Sequence, residues 1–235
     1  MTPAEIENLH KTDYQTRFDM MYKCNADDYN ALHTSHLIPT NIKIDVELFR
    51  NTMTKYDQFF RDWSKNRPEM LGIRQGLPLV NLTGNHDDVI DHSIGPLDYY
   101  NNNHPDNQLH EADITTPTEI LAESCFDPLD DIKPYLVRSS ILKWHPGANF
   151  VPHVDLGVPT AHFRLWGTDN PESIKVRFEN ENSQFVEIEN VEPGRLYIID
   201  TAKLHDAVCI GTMGYQFFIA VMATSYDLLN RIKIK

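Results

Sequence analysis

Two histidines and an aspartate stand at a spacing that suits a transition metal: His153-Val154-Asp155, then His205 fifty residues beyond the aspartate. Two imidazoles and one carboxylate form a facial set that holds non-haem Fe(II) and leaves positions open for a co-substrate and O2. Alternate residues of a strand face the same way, so an H-x-D on a strand directs both side chains to one point. The remaining ligand then has to come from a strand folded back alongside, which a β-barrel supplies more readily than a helical bundle. Eleven histidines are scattered through the chain, so either imidazole alone reads as a structural residue. The pair, with the acid and with strand-like segments on both sides, reads as a metal site.

Those segments have recognisable punctuation. Ile141 to Trp144 is a short apolar run, His145-Pro146-Gly147 a turn, and Phe150-Val151 leads into His153. Pro193-Gly194 turns into the apolar strand Leu196 to Ile199, and a loop from Asp200 to Lys203 delivers Leu204-His205. Ligand histidines need groups that orient them, and Asp200, Tyr197 and Asp206 are the candidates by proximity. Upstream, residues 1–40 are polar and show little beyond a short helical start. Asp45 then caps an amphipathic helix whose Phe49, Met53, Tyr56, Phe60 and Trp63 share one face. Such an aromatic stripe is core packing, expected against the outside of the barrel's larger sheet. Leu77 to Leu82 predicts a strand and Thr118 to Cys125 a short helix, and the chain ends in a basic helix or tail from Asp227 to Lys235.

From about Tyr135 to Ala223 the chain resembles the double-stranded β-helix core of the Fe(II)- and 2-oxoglutarate-dependent oxygenases. Within them it resembles the aspartyl/asparaginyl β-hydroxylase-like group, which includes free-proline cis-hydroxylases. The stretches that carry the resemblance are HPGANFVPHVD, HFRLW, VEPGRLYIIDTAKLHDAV and YQFFIAVMA. The resemblance implies a mainly β fold with flanking helices, a jelly-roll, cupin-like barrel. It also implies Fe(II) on His153, Asp155 and His205, 2-oxoglutarate as co-substrate, and O2. The reaction implied is hydroxylation of a C–H bond in an amino acid, free or as an Asp, Asn or Pro residue of a peptide, with release of succinate and CO2.

In one place the chain departs from that family. Many such enzymes carry an arginine about ten residues past the second histidine, which binds the far carboxylate of 2-oxoglutarate. Here Tyr215 and Gln216 stand there, with no Arg or Lys between Lys203 and Arg231. A dicarboxylate in a dry pocket needs a cation, because an unpaired buried carboxylate is expensive. Arg164 in AHFRLW is the first substitute, with Arg138 and Lys143 behind it and Tyr215 adding a hydrogen bond.

Composition limits the partners. The formal net charge of −13 would repel a polyanion, so a small molecule or peptide is expected rather than nucleic acid. No apolar run approaches the ~18 residues that cross a bilayer, and the N-terminal residues lack a basic-then-apolar signal pattern. Cys24, Cys125 and Cys209 are far apart and without a C-x-x-C pair, which argues against a disulfide framework or structural zinc and fits a reducing cytoplasm. The 235 residues read as one domain: an N-terminal helical and loop region over 1–134, the core over 135–223 and a tail over 224–235.

A long polar stretch, Thr83 to Pro117, reads as a lid over the active-site mouth, since a loop of this length inside a domain is usually functional or disordered. It contains Gly84-Asn85-His86-Asp87, which matches one element of calcineurin-like metallophosphoesterases and their two-metal site. The upstream D-x-H and G-D-x-x-D elements are missing, and the same residues make a good turn. A cupin-like protein that binds metal without oxygenase chemistry is the other alternative.

Overall fold

The computed structural model describes residues 36–63, 70–87, 97–109, 113–153, 162–199, 201, 203–222 and 231–232. Strand β1 (Leu37–Lys43) leads into helix α1 (Val46–Tyr56). Short strands β2 (Arg61–Asp62) and β3 (Met70–Leu71) precede β4 (Arg74–Asn81), helix α2 (Leu97–Asn103) and β5 (Thr116–Pro117). The remaining strands are β6 (Leu136–Trp144), β7 (Asn149–His153), β8 (His162–Thr168), β9 (Ile174–Glu179), β10 (Phe185–Glu187), β11 (Arg195–Ile199), β12 (His205–Cys209) and β13 (Gly214–Met222).

Two sheets result. The 8-stranded sheet runs β1-β11-β8-β13-β6-β4-β2, with β5 beside β4, and the 5-stranded sheet runs β10-β9-β12-β7-β3. Counting from β6, the first, eighth, third and sixth strands lie together in the larger sheet, and the second, seventh, fourth and fifth in the smaller. That order is the double-stranded β-helix, a jelly-roll barrel. The turn from β6 to β7 closes one end, where Gly147 N–H donates to the Cys209 carbonyl and His145 N–H to that of Ile73. His153 ends β7 and His205 begins β12, both away from that turn.

Strand alternation gives the larger sheet two different faces. Outward, Ile141, Leu165, Leu196, Ile198, Tyr215, Phe217 and Ile219 join the core formed with α1 and the 3-10 turns over Glu119–Leu129. Asp45 caps α1 by accepting from Glu47 N–H at 2.9 Å and Leu48 N–H at 3.0 Å, and Phe49 meets the Phe217 ring edge-on at 4.9 Å. Inward, Trp144, Trp166, Tyr197 and Ile199 meet Phe150, Val176, Phe178 and Ala207 of the smaller sheet.

Several expectations need correction. The α-helix stops at Tyr56, and Trp63 lies in the barrel interior rather than on the helix stripe. Strand β2 pairs with β4 there, and Gly76 makes room for the indole: a Cβ on it would stand 2.1 Å from the Trp63 ring. Strand β4 begins at Arg74, not Leu77, and Pro78 sits where its pairing with β6 shifts register, a position proline tolerates. The polar stretch is more structured than its composition suggests. It contains α2, its last residues pair as β5, and Leu97 and Ile114 form a small apolar cluster with Leu82, Tyr100 and Leu109. Residues 88–96 and 110–112 of that stretch lie outside the described residues. The predicted helix over Thr118–Cys125 is a pair of 3-10 turns. At the C-terminal end, Ile232 is buried in the outer core.

Candidate functional site

His205 and His153 are register partners across β12 and β7, with ring centroids 4.4 Å apart. A bulge brings both onto the inner face, with the rings tilted by 48°. His205 to Ala207 is two residues on β12, while their partners His153 and Phe150 are three apart on β7, so β7 carries one extra residue. Phe150 points inward, and strict alternation would send His153 outward; the extra residue restores it to the inner face. Pro152, which has no N–H to give a ladder, lies in that bulge. The Phe150 and His153 rings then meet edge to face at 4.3 Å.

Each histidine is held in the same way. Nδ1 of His153 lies 2.9 Å from the Val151 carbonyl, and Nδ1 of His205 lies 2.8 Å from the Lys203 carbonyl. A carbonyl can only accept, so Nδ1 carries the proton and the neutral ring has its lone pair on Nε2, the arrangement a metal-binding imidazole requires. Backbone carbonyls two residues upstream thus orient both rings, and of the expected side chains Tyr197 and Asp206 are engaged elsewhere. Tyr197 Oη accepts from Glu192 N–H, and Asp206 is engaged by Arg177 on the other face of the smaller sheet, at 2.9 and 2.5 Å. Asp200 and Asp155 lie outside the described residues. No group of three or more His, Cys, Asp or Glu side chains suited to a metal occurs among the described residues. The donor chemistry of the histidine pair fits a divalent metal that takes imidazole nitrogen, with Asp155 as the expected completing ligand.

The expected cations divide by face. Arg164 and Arg138 are buried on the inner side of the larger sheet, with guanidinium carbons 4.5 and 5.8 Å from the Phe218 ring centre. Arg138 also lies 5.6 Å from the Trp63 ring. Lys143 and Tyr215 point the other way, which corrects their assignment as co-substrate ligands. Strand parity puts Gln216, not Tyr215, on the inner face. Lys143 forms an ion pair with Asp57 and lies over Phe60, while the Tyr215 ring packs on Phe49 at 5.4 Å. Burial, with the negative charges of Asp57 and Asp169, pushes the Tyr215 phenol up to about 12.

Two further residues near the pair had no motif to announce them. His36, at a positive φ of 56°, stacks on Phe178 at 4.6 Å, and Phe178 lies 5.7 Å from His205. Arg74 sits 4.5 Å from the Phe150 ring centre and 5.2 Å from that of Trp144. Extending the alternation of β4 backwards from Gly76 would have placed Arg74 on the inner face; His36 had no comparable signal in a polar stretch.

The Gly84–Asp87 turn is tied into its surroundings. Asn81 accepts from Gly84 N–H at 2.6 Å and donates to the Asn85 carbonyl at 3.0 Å, and Asp87 pairs with Arg61 at 2.5 Å. His86 lies 3.3 Å from Glu119 and edge-on to Phe59 at 4.5 Å. This is a local turn with side-chain hydrogen bonds. Cys125 and Cys209 are buried packing residues; burial pushes the first thiol up to about 11 and also raises the second. No helix among the described residues is long and apolar enough to cross a membrane.

No protein-family model and no curated protein sequence matches the chain. Among solved structures, it is similar to a prolyl hydroxylase from Trichoplax adhaerens in complex with a hypoxia inducible factor oxygen degradation domain peptide. Identity there is 11%, over 88% of this chain and 91% of that one, at a TM-score of 0.45. It is also similar to a Pseudomonas putida prolyl-4-hydroxylase, at 12% identity over 82% of this chain and 95% of that one, with a TM-score of 0.44. A 2OG-Fe(II) oxygenase family oxidoreductase from Burkholderia pseudomallei matches at 8% identity over 72% of this chain and 78% of that one, with a TM-score of 0.38.

Proposed function

We propose that the chain is an Fe(II)- and 2-oxoglutarate-dependent dioxygenase of the aspartyl/asparaginyl β-hydroxylase-like branch. It would hydroxylate an amino acid, free or as an Asp, Asn or Pro residue in a peptide. The observation that carries this reading is the facing His153–His205 pair, each ring locked through Nδ1, inside a jelly-roll barrel whose inner face also carries buried arginines. His153, His205 and Asp155 would hold the metal. Iron with 2-oxoglutarate and O2 supplies the oxidising power for a C–H bond, with succinate and CO2 released. The chain's own part is to fix ligand geometry, aim the substrate carbon and keep water out. The far carboxylate of 2-oxoglutarate needs a buried cation, for which Arg164 and Arg138 face the correct side of the sheet.

The lid assignment fits this geometry. Asn81 pairs with Thr116 and Val80 with Pro117, so the stretch between leaves and rejoins the sheet at the end of β4 remote from the closing turn. We assign it to substrate enclosure. The acidic composition favours a small molecule or peptide over nucleic acid, and the cysteine usage favours a cytoplasmic setting.

The test is 2-oxoglutarate turnover to succinate with Fe(II), paired with metal binding. His205→Ala should lose succinate formation and weaken metal binding while the protein stays folded. Full succinate formation in His205→Ala would reject the site. Metal binding in the unaltered protein without any 2-oxoglutarate turnover would instead favour a cupin-like metal protein.

A further inference from the structure

We infer that two copies of this chain associate through the closed end of the barrel, over a patch built by Leu71, Ile73, Ile210 and Met213. Six large apolar side chains are exposed among the described residues, and these four, at 60, 50, 61 and 39%, belong to one surface. The other two, Leu48 and Val186, lie apart on α1 and β10. A single exposed leucine is ordinary, but a cluster of such side chains marks a contact surface.

Topology makes the four neighbours. The connections β8–β9, β12–β13, β6–β7 and β3–β4 each cross between the sheets at this end. Strands β8, β13, β6 and β4 are consecutive in the larger sheet, and β9, β12, β7 and β3 in the smaller. Adjacent connections are therefore about 5 Å apart. Backbone bonds stitch them together. His145 N–H donates to the Ile73 carbonyl at 3.1 Å, Gly147 N–H to that of Cys209 at 2.9 Å, and Ile210 N–H to that of Ser173 at 2.8 Å. Gly72 and Gly147 tighten two of the turns, at φ of 75° and 80°. Leu71 and Ile73 thus stand on one side of the Pro146–Gly147 turn, and Ile210 and Met213 on the other. A face held in this way loses little freedom on binding.

Charge decides the occupant. The formal net charge is −13, so two copies repel unless the contact itself is neutral. Through residues 71–74, 145–148, 169–173 and 210–213, Glu172 is the only exposed charged side chain; Arg74 and Asp169 are buried. This end offers no charge to steer in a basic partner and no exposed cation to hold an anionic lipid surface. A second copy brings the same neutral, apolar face. At roughly 100 Å2 for each side chain the patch comes to about 400 Å2, a size that marks a binding surface. That is below the ~800 Å2 per partner of a standard interface, so the dimer should be reversible. His153 ends β7 and His205 begins β12, at the other end of these strands, so the contact leaves the metal pair uncovered. Self-association is independent of what that pair binds.

Sedimentation velocity of the full chain, over about 1–300 μM, should show the mean mass rising from one copy toward two. In a twofold contact every residue is present twice, so one substitution brings two charges together. Ile210→Asp should weaken association by at least about 10-fold, and so should Leu71→Asp in a different connection. Both side chains are exposed, and the Ile210 backbone bond survives the change. Leu48→Asp and Val186→Asp add the same charge elsewhere and should change it less than about threefold. Raising NaCl from about 0.05 to 0.5 M screens the acidic repulsion and should tighten the dimer. Equal weakening by Leu48→Asp or Val186→Asp moves the contact off this patch and overturns the inference, as does loosening by salt, the mark of an ion-paired interface. A chain that stays monomeric throughout also overturns it, and flotation of that monomer with neutral lipid vesicles would give the patch to a membrane instead.

Discussion

The two faces of the larger sheet are built from the same strands and do opposite work. Tyr215 and Phe217 of β13 point into the outer core with Phe49, whereas Gln216 and Phe218 point into the barrel interior. On β6, Ile141 and Lys143 face outward, and Arg138, Leu142 and Trp144 inward. The outer face is mainly apolar and packs against a capped helix; the inner face accepts buried arginines. A period of two lets one strand contribute to stability and chemistry at once, and a one-residue slip would exchange the two roles.

The comparison breaks most sharply at Phe217. It is 0% exposed on the outer face, so Phe217→Ala should cost about 3–5 kcal/mol in urea unfolding. The fraction still folded should bind metal and keto acid normally; lost keto acid affinity would show that the faces are not independent. Tyr215→Phe probes the same face through pH. The folded Tyr215 phenol titrates near 12 against 10 for the unfolded chain, mainly through burial. Its raised value means the contribution is intact below pH 10 and is lost as pH rises toward 12, by about 2 kcal/mol. Tyr215→Phe should flatten that alkaline limb and leave neutral-pH stability nearly unchanged, as followed by unfolding at pH 9 and pH 11.5. The smallest effect is at the helix cap. Asp45→Ala removes the acceptor for Glu47 and Leu48 and should cost about 1 kcal/mol without touching metal affinity.

Local pattern determined a good deal of this protein. The Asp45 cap, the Phe49–Met53 stripe and the strands around both histidines follow from short-range spacing, because periodicity and turn chemistry are properties of neighbouring residues. The spacing of the two histidine segments favoured a barrel over a helical bundle, and the resemblance over Tyr135 to Ala223 implied its jelly-roll form. The helix end was less legible. Nothing between Tyr56 and Trp63 signals that the chain turns into a strand, since the pairing partner that draws it away is on β4.

What only the tertiary structure decided is which side chains share a space. The extra residue at β7 that turns His153 inward exists only as a mismatch with β12. The parity that sends Tyr215 outward and Gln216 inward depends on where β13 enters its register with β6 and β8. Arg74 reaches Phe150 from a strand whose partner lies seventy residues on, as Arg74 pairs with Trp144. His36 reaches Phe178 because β1 docks on β11. Such placements arise from long-range pairing, and a periodic pattern carries no record of its distant partner.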